Sequence, residues 1–325
     1  MSSTAVSIVI PFRNSEQTIA LTLDSLAMQR GIDSVEIIGV DDHSTDDTIK
    51  IIKTHPISES HEIRIIANDA GGLANAYNIG WRAAKNEFIV FMHSDCYVLA
   101  DDALKKVCGY LKSGEFDGIQ PLTLLPEEVW GKMSFWDRVG KSRYVGKESH
   151  GFGGKFDGIR RSTLESIGGF DAEHFYSAAE DSDIFYRMIE DYKFINSDIR
   201  VVHNHIFPKN TRVLSLLKKQ AQLAQGYGAV LRKHLPLVFK YPRFFKMTMI
   251  HMSKGVLIIG LFFPQTFIPA AVILMLYAIL YSWRALCTPD IRIILVPFVN
   301  ILQFAVFSFF CLTGFLLGRQ TFYYK

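Results

Sequence analysis

Asp95 stands where an apolar run, Phe88-Ile-Val-Phe-Met-His-Ser-Asp95-Cys-Tyr, gives way to polar residues. A lone carboxylate there can hold a divalent cation against a diphosphate, because hard cations prefer oxygen ligands; its competing use is to cap a helix starting near Asp101. A second acidic group is Glu180-Asp181 with Asp183 beyond it. Adjacent carboxylates raise one another's pKa, which suits a general base. Asp183 and Arg187 are spaced to share one helical face, and the competing use is a solvated first turn favoured by the helix dipole. Asp42 ends a second strand-like stretch, Val35 to Val40, where a carboxylate accepts hydrogen bonds from a base N–H or a ribose hydroxyl or serves, with Asp41 and Asp46, in turns and caps. His203 and His205 fall on one face of an extended segment. Gly71-Gly72 and Gly80 sit where a backbone can approach a ligand closely, without the spacing of a dinucleotide fingerprint. Gly151-Phe-Gly-Gly-Lys155, followed by Arg160-Arg161, is either an anion-receiving loop or a plain connection.

The elements that must position these groups alternate. Val6 to Ile10 reads as a buried strand closed by Pro11, since proline stops strand pairing. Ile19, Leu23 and Leu26 then recur at helical spacing before Gly31. Strands follow over residues 35–40, 62–67 and 88–92, separated by helices over 47–53 and 73–84. This alternation predicts βαβ units and an α/β fold with a mostly parallel sheet. A basic, Gln-rich helix over residues 212–232 is expected to break at Gly226 and Gly228.

The chain has 325 residues, 49% of them apolar, and a formal charge of +3, with a mean hydropathy of +0.16. That charge is not spread as a basic face, so nucleic acid is not an expected partner. Residues 255–283 and 291–318 are each uncharged in their apolar stretch and long enough to cross a bilayer core of about 30 Å. Arg232, Lys233, Lys240, Arg243, Lys246 and Lys254 precede them, interleaved with Phe239, Tyr241, Phe244 and Phe245. Such a mixture suits anionic headgroups and, by the positive-inside tendency, puts the preceding domain on the cytoplasmic side. The expected organisation is a catalytic domain over 1–230, a basic juxtamembrane segment over 231–254, a two-helix membrane hairpin over 255–318 and a tail over 319–325. Four scattered cysteines without a CxxC pair argue against a disulfide frame or structural zinc. The N-terminus lacks the order of a signal peptide.

Ile8-Val-Ile-Pro-Phe-Arg-Asn14, Val40-Asp-Asp-His-Ser-Thr-Asp46, Gly72 to Gly80 and His93-Ser-Asp95 resemble the nucleotide-binding half of the family-2 glycosyltransferases. Ile167-Gly-Gly-Phe-Asp171 and Ala179-Glu-Asp-Ser-Asp-Ile-Phe-Tyr-Arg187 resemble the acceptor half. The resemblance implies the GT-A fold, inversion at the anomeric carbon and a nucleotide-diphosphate sugar, UDP-linked by preference, with Mg²⁺ or Mn²⁺. It implies nucleotide-sugar contacts for Pro11, Glu16, Asp42, Gly72, Asn78 and Ser94, Asp42 touching uracil. It gives the metal to Asp95 and His203, with His205 second, and the base role to Asp181. Glu180, Asp183, Arg187, Gly169, Phe170 and Asp171 then support the acceptor side. Two positions depart from the family pattern: His93 replaces the first acid of the metal motif, and Tyr77 replaces the arginine that meets the diphosphate. A lipid-linked or glycan acceptor is expected from the membrane hairpin. A nucleotidyltransferase of similar sheet, against which counts the lack of a basic glycine-rich loop over residues 11–16, and a catalytically silent membrane protein are the rival readings.

Overall fold

The structure is a computed structural model and describes residues 4–323. The chain folds as two compact units. The first comprises Met1–Pro126, Gly146–Ala172 and Glu180–Ile206. Its sheet contains β1 (Ala5–Phe12), β2 (Ser34–Asp41), β3 (Glu62–Ala67), β4 (Phe88–Met92), β5 (Cys96–Val98), β6 (Gly118–Leu124), β7 (Glu148–His150), β8 (Lys155–Arg160) and β9 (Phe194–His203). The order is β3-β2-β1-β4-β8-β6-β9-β5, with β7 against β6.

Strands β3, β2, β1 and β4 are parallel. Their connections run through the helices Ile19–Ala27, Thr48–Thr54 and Leu73–Ala83, as the alternation predicts. Along β1, Val6, Ile8 and Ile10 enter the core shared with Leu23 and Leu26. Val9 enters the opposite core, with Ile38, Val40 and Trp81. The sheet is thus covered on both faces, which is why its strands read as mostly apolar runs.

Beyond β4 the sheet becomes mixed. β8 runs antiparallel to both β4 and β6, whereas β9 is parallel to β6. Antiparallel pairing brings the start of β8 beside the end of β4, with Met92 opposite Lys155. It likewise sets His203, the last residue of β9, opposite Cys96. Direction alone therefore collects residues distant in sequence at the rim where β1, β2 and β4 end.

One strand boundary differs from expectation. Pro11 does not close β1: pairing with β2 continues through Pro11 opposite Val40 and Phe12 opposite Asp41. The ladder to β4 has already ended at Val9, so β1 behaves there as an edge strand, where a missing N–H is tolerated.

A bulge at Phe156 (φ +98°) interrupts the β4–β8 register. Bulges bend a strand and re-aim its side chains, and this one lies between Lys155 and Asp157. Gly154 precedes it at φ +66°. A Cβ on Gly154 would lie 1.7 Å from the Tyr77 hydroxyl and 3.0 Å from His93 Nε2. Gly154→Ala is therefore expected to lower stability by roughly 3 kcal/mol or more, since left-handed backbone strain and overpacking act together. A urea melt that left the midpoint of the variant unchanged would contradict that packing.

The second unit comprises Glu127–Val145, Glu173–Ala179 and Phe207–Lys325. Its helix Val213–Lys233 is continuous and does not break at Gly226 or Gly228. The glycines instead allow backbones to approach: a Cβ on Gly228 would meet the Cys311 carbonyl oxygen at 1.9 Å. A Cβ on Gly314 would meet the Gln225 carbonyl oxygen at 2.0 Å, the reciprocal approach. Small residues are placed this way where helices pack backbone to backbone.

The expected first span over 255–283 is also redrawn. One helix, Pro242–Gly260, ends before the next, Pro264–Tyr281, begins on Pro264. Proline favours a first helical turn and cannot continue a preceding one. The helices long and apolar enough to cross a bilayer are Pro264–Tyr281 and the stretch Ile291–Leu317. At 18 and 27 residues they measure about 27 and 40 Å at 1.5 Å per residue. Their apolar surface is mostly uncovered, but Asn300 is buried. Its amide donates to the Ala278 carbonyl (2.8 Å) and the Ser282 hydroxyl (3.0 Å), and Gln303 donates to its oxygen (3.0 Å). Such bonds join apolar helices where water is absent.

Candidate active site

At the rim of the first unit, Asp95 Oδ2 lies 3.0 Å from His203 Nε2 and 3.5 Å from His205 Nδ1. Ligand atoms of His93, Asp95, Cys96 and His203 fall within 4.8 Å of one another. Burial opposes ionisation of Asp95, but hydrogen bonds from His203 and His205 hold its carboxyl well below the usual carboxylate range. Burial pushes the His93 imidazole down to about 3, with Lys155 acting in the same direction. It lowers His203 too, against the pull of Asp95. Both rings are therefore neutral near pH 7 and have a nitrogen lone pair to offer a cation. Cys96 is different. Burial and the neighbouring Asp95 drive its thiol well upward, so it remains protonated, and only the thiolate is a good ligand. Neutral imidazoles around one carboxylate fit a divalent cation, Mn²⁺ better than Mg²⁺.

Asp181 lies in the first turn of the helix Glu180–Met188. Its Oδ1 accepts the Ser182 backbone N–H at 2.6 Å and the Ser182 hydroxyl at 3.3 Å. Burial raises its pKa, opposed by Lys155 and those Ser182 bonds. A Cβ on Gly153 would lie 3.2 Å from Lys155 Nζ and 3.6 Å from Asp181 Oδ2, so the ammonium and the carboxylate flank the same backbone. Lys155 is also felt electrostatically by His93 and His203. It links the histidine cluster to Asp181, a role that its place in a glycine-rich loop does not reveal in sequence.

Nothing in the sequence singles out Asp157. It is fully buried, and its Oδ2 accepts the N–H groups of Gly153 (2.9 Å) and Lys155 (3.1 Å). Oδ1 has no hydrogen-bond partner. Burial lifts the carboxyl from 3.8 to about 7 against those N–H bonds and Lys155. The fold therefore holds a proton that the unfolded chain releases near pH 4, and stability falls as pH rises from about 4 to about 7. Asp157→Asn keeps an acceptor oxygen and removes the charge. It should flatten this slope and stabilise the protein at pH 8 by up to about 4 kcal/mol, at 1.36 kcal/mol per pH unit. Parallel melts of both proteins at pH 5 and pH 8 read this directly, and identical slopes would refute it.

Tyr77 stacks on Phe170 with ring centroids 4.7 Å apart, and its buried hydroxyl has no hydrogen-bond partner. It fills, with an uncharged ring, the position where the family resemblance leads one to expect a guanidinium.

The remaining expected residues divide between rim and frame. Asp42 Oδ1 accepts Asn68 Nδ2 (2.9 Å) and the Gly72 N–H (3.0 Å), tying the end of β2 to the start of the helix Leu73–Ala83. Glu16 accepts the Asp47 N–H, and Asp46 accepts the Glu16 N–H, so the first two loops hold each other. Ser94 meets Ser15 hydroxyl to hydroxyl at 2.8 Å. Pro11 is buried within β1.

Asn78 belongs to the frame and not to the nucleotide contacts expected of it. It is 4% exposed, donates to the Phe170 carbonyl (2.7 Å) and accepts the Phe170 N–H (2.9 Å) and Trp81 Nε1 (2.9 Å). Every polar atom of its amide is thereby turned inward. Asp183 and Arg187 are framework too. Arg187 donates to Asp183 (2.9 Å) and to the carbonyls of Ile167 and Gly169 (2.8 and 2.6 Å). The pair locks the Gly168-Gly169 turn, which sets Phe170 against Tyr77 and leads into half-buried Asp171. Glu180 is 5% exposed beside Asp181.

The Glycosyl transferase family 2 profile matches residues 7–168. The Escherichia coli UDP-Glc:alpha-D-GlcNAc-diphosphoundecaprenol beta-1,3-glucosyltransferase WfaP is 41% identical over 92 residues, 28% of this chain and 36% of WfaP. The Staphylococcus aureus poly(ribitol-phosphate) beta-N-acetylglucosaminyltransferase TarS is 30% identical over 112 residues, 34% of this chain and 19% of TarS. The chain thus spans only a fifth to about a third of the length of these relatives. Among solved structures, the mannosyltransferase PcManGT from Pyrobaculum calidifontis, in complex with GDP-Man and Mn²⁺, superposes with a TM-score of 0.58. It is 18% identical, and the alignment covers 97% of this chain and 88% of that one. At that identity the likeness establishes the fold.

Proposed function

From the premise that residues 7–168 belong to glycosyl transferase family 2, in a GT-A fold, we propose that the chain is an inverting, membrane-anchored glycosyltransferase. The sugar comes from a nucleotide-diphosphate donor, UDP-linked by preference, and goes to a lipid-linked or glycan acceptor. The observation that carries this reading is the convergence of Asp95, His203 and His93 with Asp181 about Lys155, at one rim of one sheet.

Asp95, His203 and His93 would hold the divalent cation, which would supply charge neutralisation for a departing diphosphate. Asp42 and the Gly72 backbone line the base and ribose end, and Ser94, Pro11 and Glu16 shape the same pocket. Asp181 takes the proton from the acceptor oxygen as that oxygen attacks the anomeric carbon. Its raised pKa makes it a stronger base than an ordinary carboxylate, and Lys155 keeps it ionised enough to act. The C1–O bond to the diphosphate breaks as the new glycosidic bond forms, so configuration inverts in one displacement. The lipid-linked acceptor is supported by the two apolar helices, since anchoring raises the effective concentration of both partners. The basic residues ahead of those helices support a cytoplasm-facing catalytic unit.

The test is nucleoside diphosphate release by the purified chain, supplied with a panel of UDP- and GDP-sugars, Mn²⁺ and a lipid extract. Mass spectrometry of the extract then identifies the glycosylated acceptor. Release and a new glycolipid are expected with at least one donor; binding of donors without any turnover would return the chain to the silent-protein reading.

A further inference from the structure

A cavity of about 590 Å³ is lined entirely by residues of the second unit. Its lining includes Arg138, Lys209, Arg212 and Arg292 against one carboxylate, Asp290. That carboxylate is already engaged by Arg292 (2.8 and 2.6 Å). The guanidinium of Arg138 is braced by the Trp130 carbonyl (3.0 Å), and that of Arg292 lies 4.6 Å over the ring of Phe135. Positive charge thus remains in excess around the cavity, and two of its cations are held in place before any ligand arrives.

A second feature points the same way. The helix Val213–Lys233, 21 residues long, begins at the cavity, where Thr211, Arg212 and Val213 are lining residues, and no side chain caps its N-terminus. An uncapped helix start presents backbone N–H donors and a positive dipole end to an anion. Arg292, for its part, is the second residue of Ile291–Leu317, the stretch long and apolar enough to cross a bilayer. A ligand held by these cations therefore has an uncovered apolar helix face beside it.

We propose that this cavity is a binding site for the phosphate of a lipid headgroup. The ligand is a phosphate ester of net negative charge carried on an apolar tail: the anion meets Arg138, Lys209, Arg212 and the helix start, and the tail follows the uncovered apolar face of Ile291–Leu317. The proposal rests on the uncovered apolar face of Ile291–Leu317 meeting lipid, and it does not require that stretch to cross the bilayer. It does not involve the nucleotide donor, so it stands or falls apart from the transferase reading.

Trp136 lines the cavity and reports on it. The full chain in neutral detergent is titrated with a polyprenyl monophosphate, with phosphatidylcholine and with inorganic pyrophosphate, following tryptophan emission. Saturable binding of the polyprenyl monophosphate is expected, with phosphatidylcholine at least ten-fold weaker. Lys209 and Arg212 are both exposed, so K209Q/R212Q should fold with an unchanged melting temperature while losing ten-fold or more in affinity. Undiminished binding by that variant would overturn the site. Pyrophosphate binding as tightly as the lipid would overturn its assignment to a lipid ligand.

Discussion

Asp95→Ala is expected to abolish cation binding and with it sugar transfer, lowering turnover by roughly a thousand-fold or more, the scale expected when charge stabilisation of a leaving group is lost. Asp95 is the one ionised group in the cluster. His93 and His203 are held neutral by burial, and Cys96 keeps its proton. Removing the carboxylate therefore leaves neutral imidazoles facing a dication beside the Lys155 ammonium. The effect on binding is separable from the effect on rate: Mn²⁺ titration followed by electron paramagnetic resonance should show the bound-ion signal disappear. His203→Ala should weaken Mn²⁺ binding by a smaller factor, because Asp95 keeps its charge and His205 still lies 3.5 Å away. If Asp95→Ala bound Mn²⁺ as well as the parent protein does, the cluster would not be the metal site, and the reaction scheme built on it would fail.

Asp181→Asn is expected to lower kcat by about a hundred- to ten-thousand-fold, the range contributed by a positioned general base, while donor and Mn²⁺ affinities change little. Asparagine preserves the acceptor for Ser182 and the packing of the helix start. The pH profile supplies the control that a structural role would not reproduce. A base must be ionised to work, and burial raises the pKa of Asp181, so the acid limb of kcat/KM in the parent protein should lie above the ordinary carboxylate range near 4. Activity should be low below that limb and rise through it. The residual activity of Asp181→Asn should lack the limb. A variant that kept the same acid limb would move the base role to another group; buried Asp157, raised to about 7, is the first to examine.

How much of this is legible in the chain follows from the range over which each signal acts. The parallel half of the sheet is readable because double-sided burial writes itself into consecutive residues: Val6 to Ile10, Val35 to Val40 and Phe88 to Met92 are apolar apart from Gly39 and the buried, hydrogen-bonded pair Ser7 and Glu36. The helix Leu73–Ala83 falls within a residue of its expected bounds for the same reason. Asp95 and Asp181 are visible because each follows or opens such an element. Features that depend on a neighbour remote in sequence mislead. Gly226 and Gly228 suggest a broken helix, since only the approach of Cys311 shows why Gly228 is glycine. Asn78 suggests a ligand contact, since only Phe170, 92 residues away, shows where its amide points.

The sequence by itself determined an α/β domain with acidic residues at strand and helix ends, followed by two long apolar helices. Those properties come from local burial and from composition. Tertiary structure alone decided that Lys155 comes to the rim beside Asp95 and Asp181, and it is what carries His203, expected there by resemblance, to the same place. Their arrival depends on the antiparallel direction of β8 and on the pairing of β9 with β5, set by contacts between strands with no counterpart in the order of residues along either one. The protonation states of His93, Asp157 and Asp181 were decided there too, because desolvation depends on everything packed around a group.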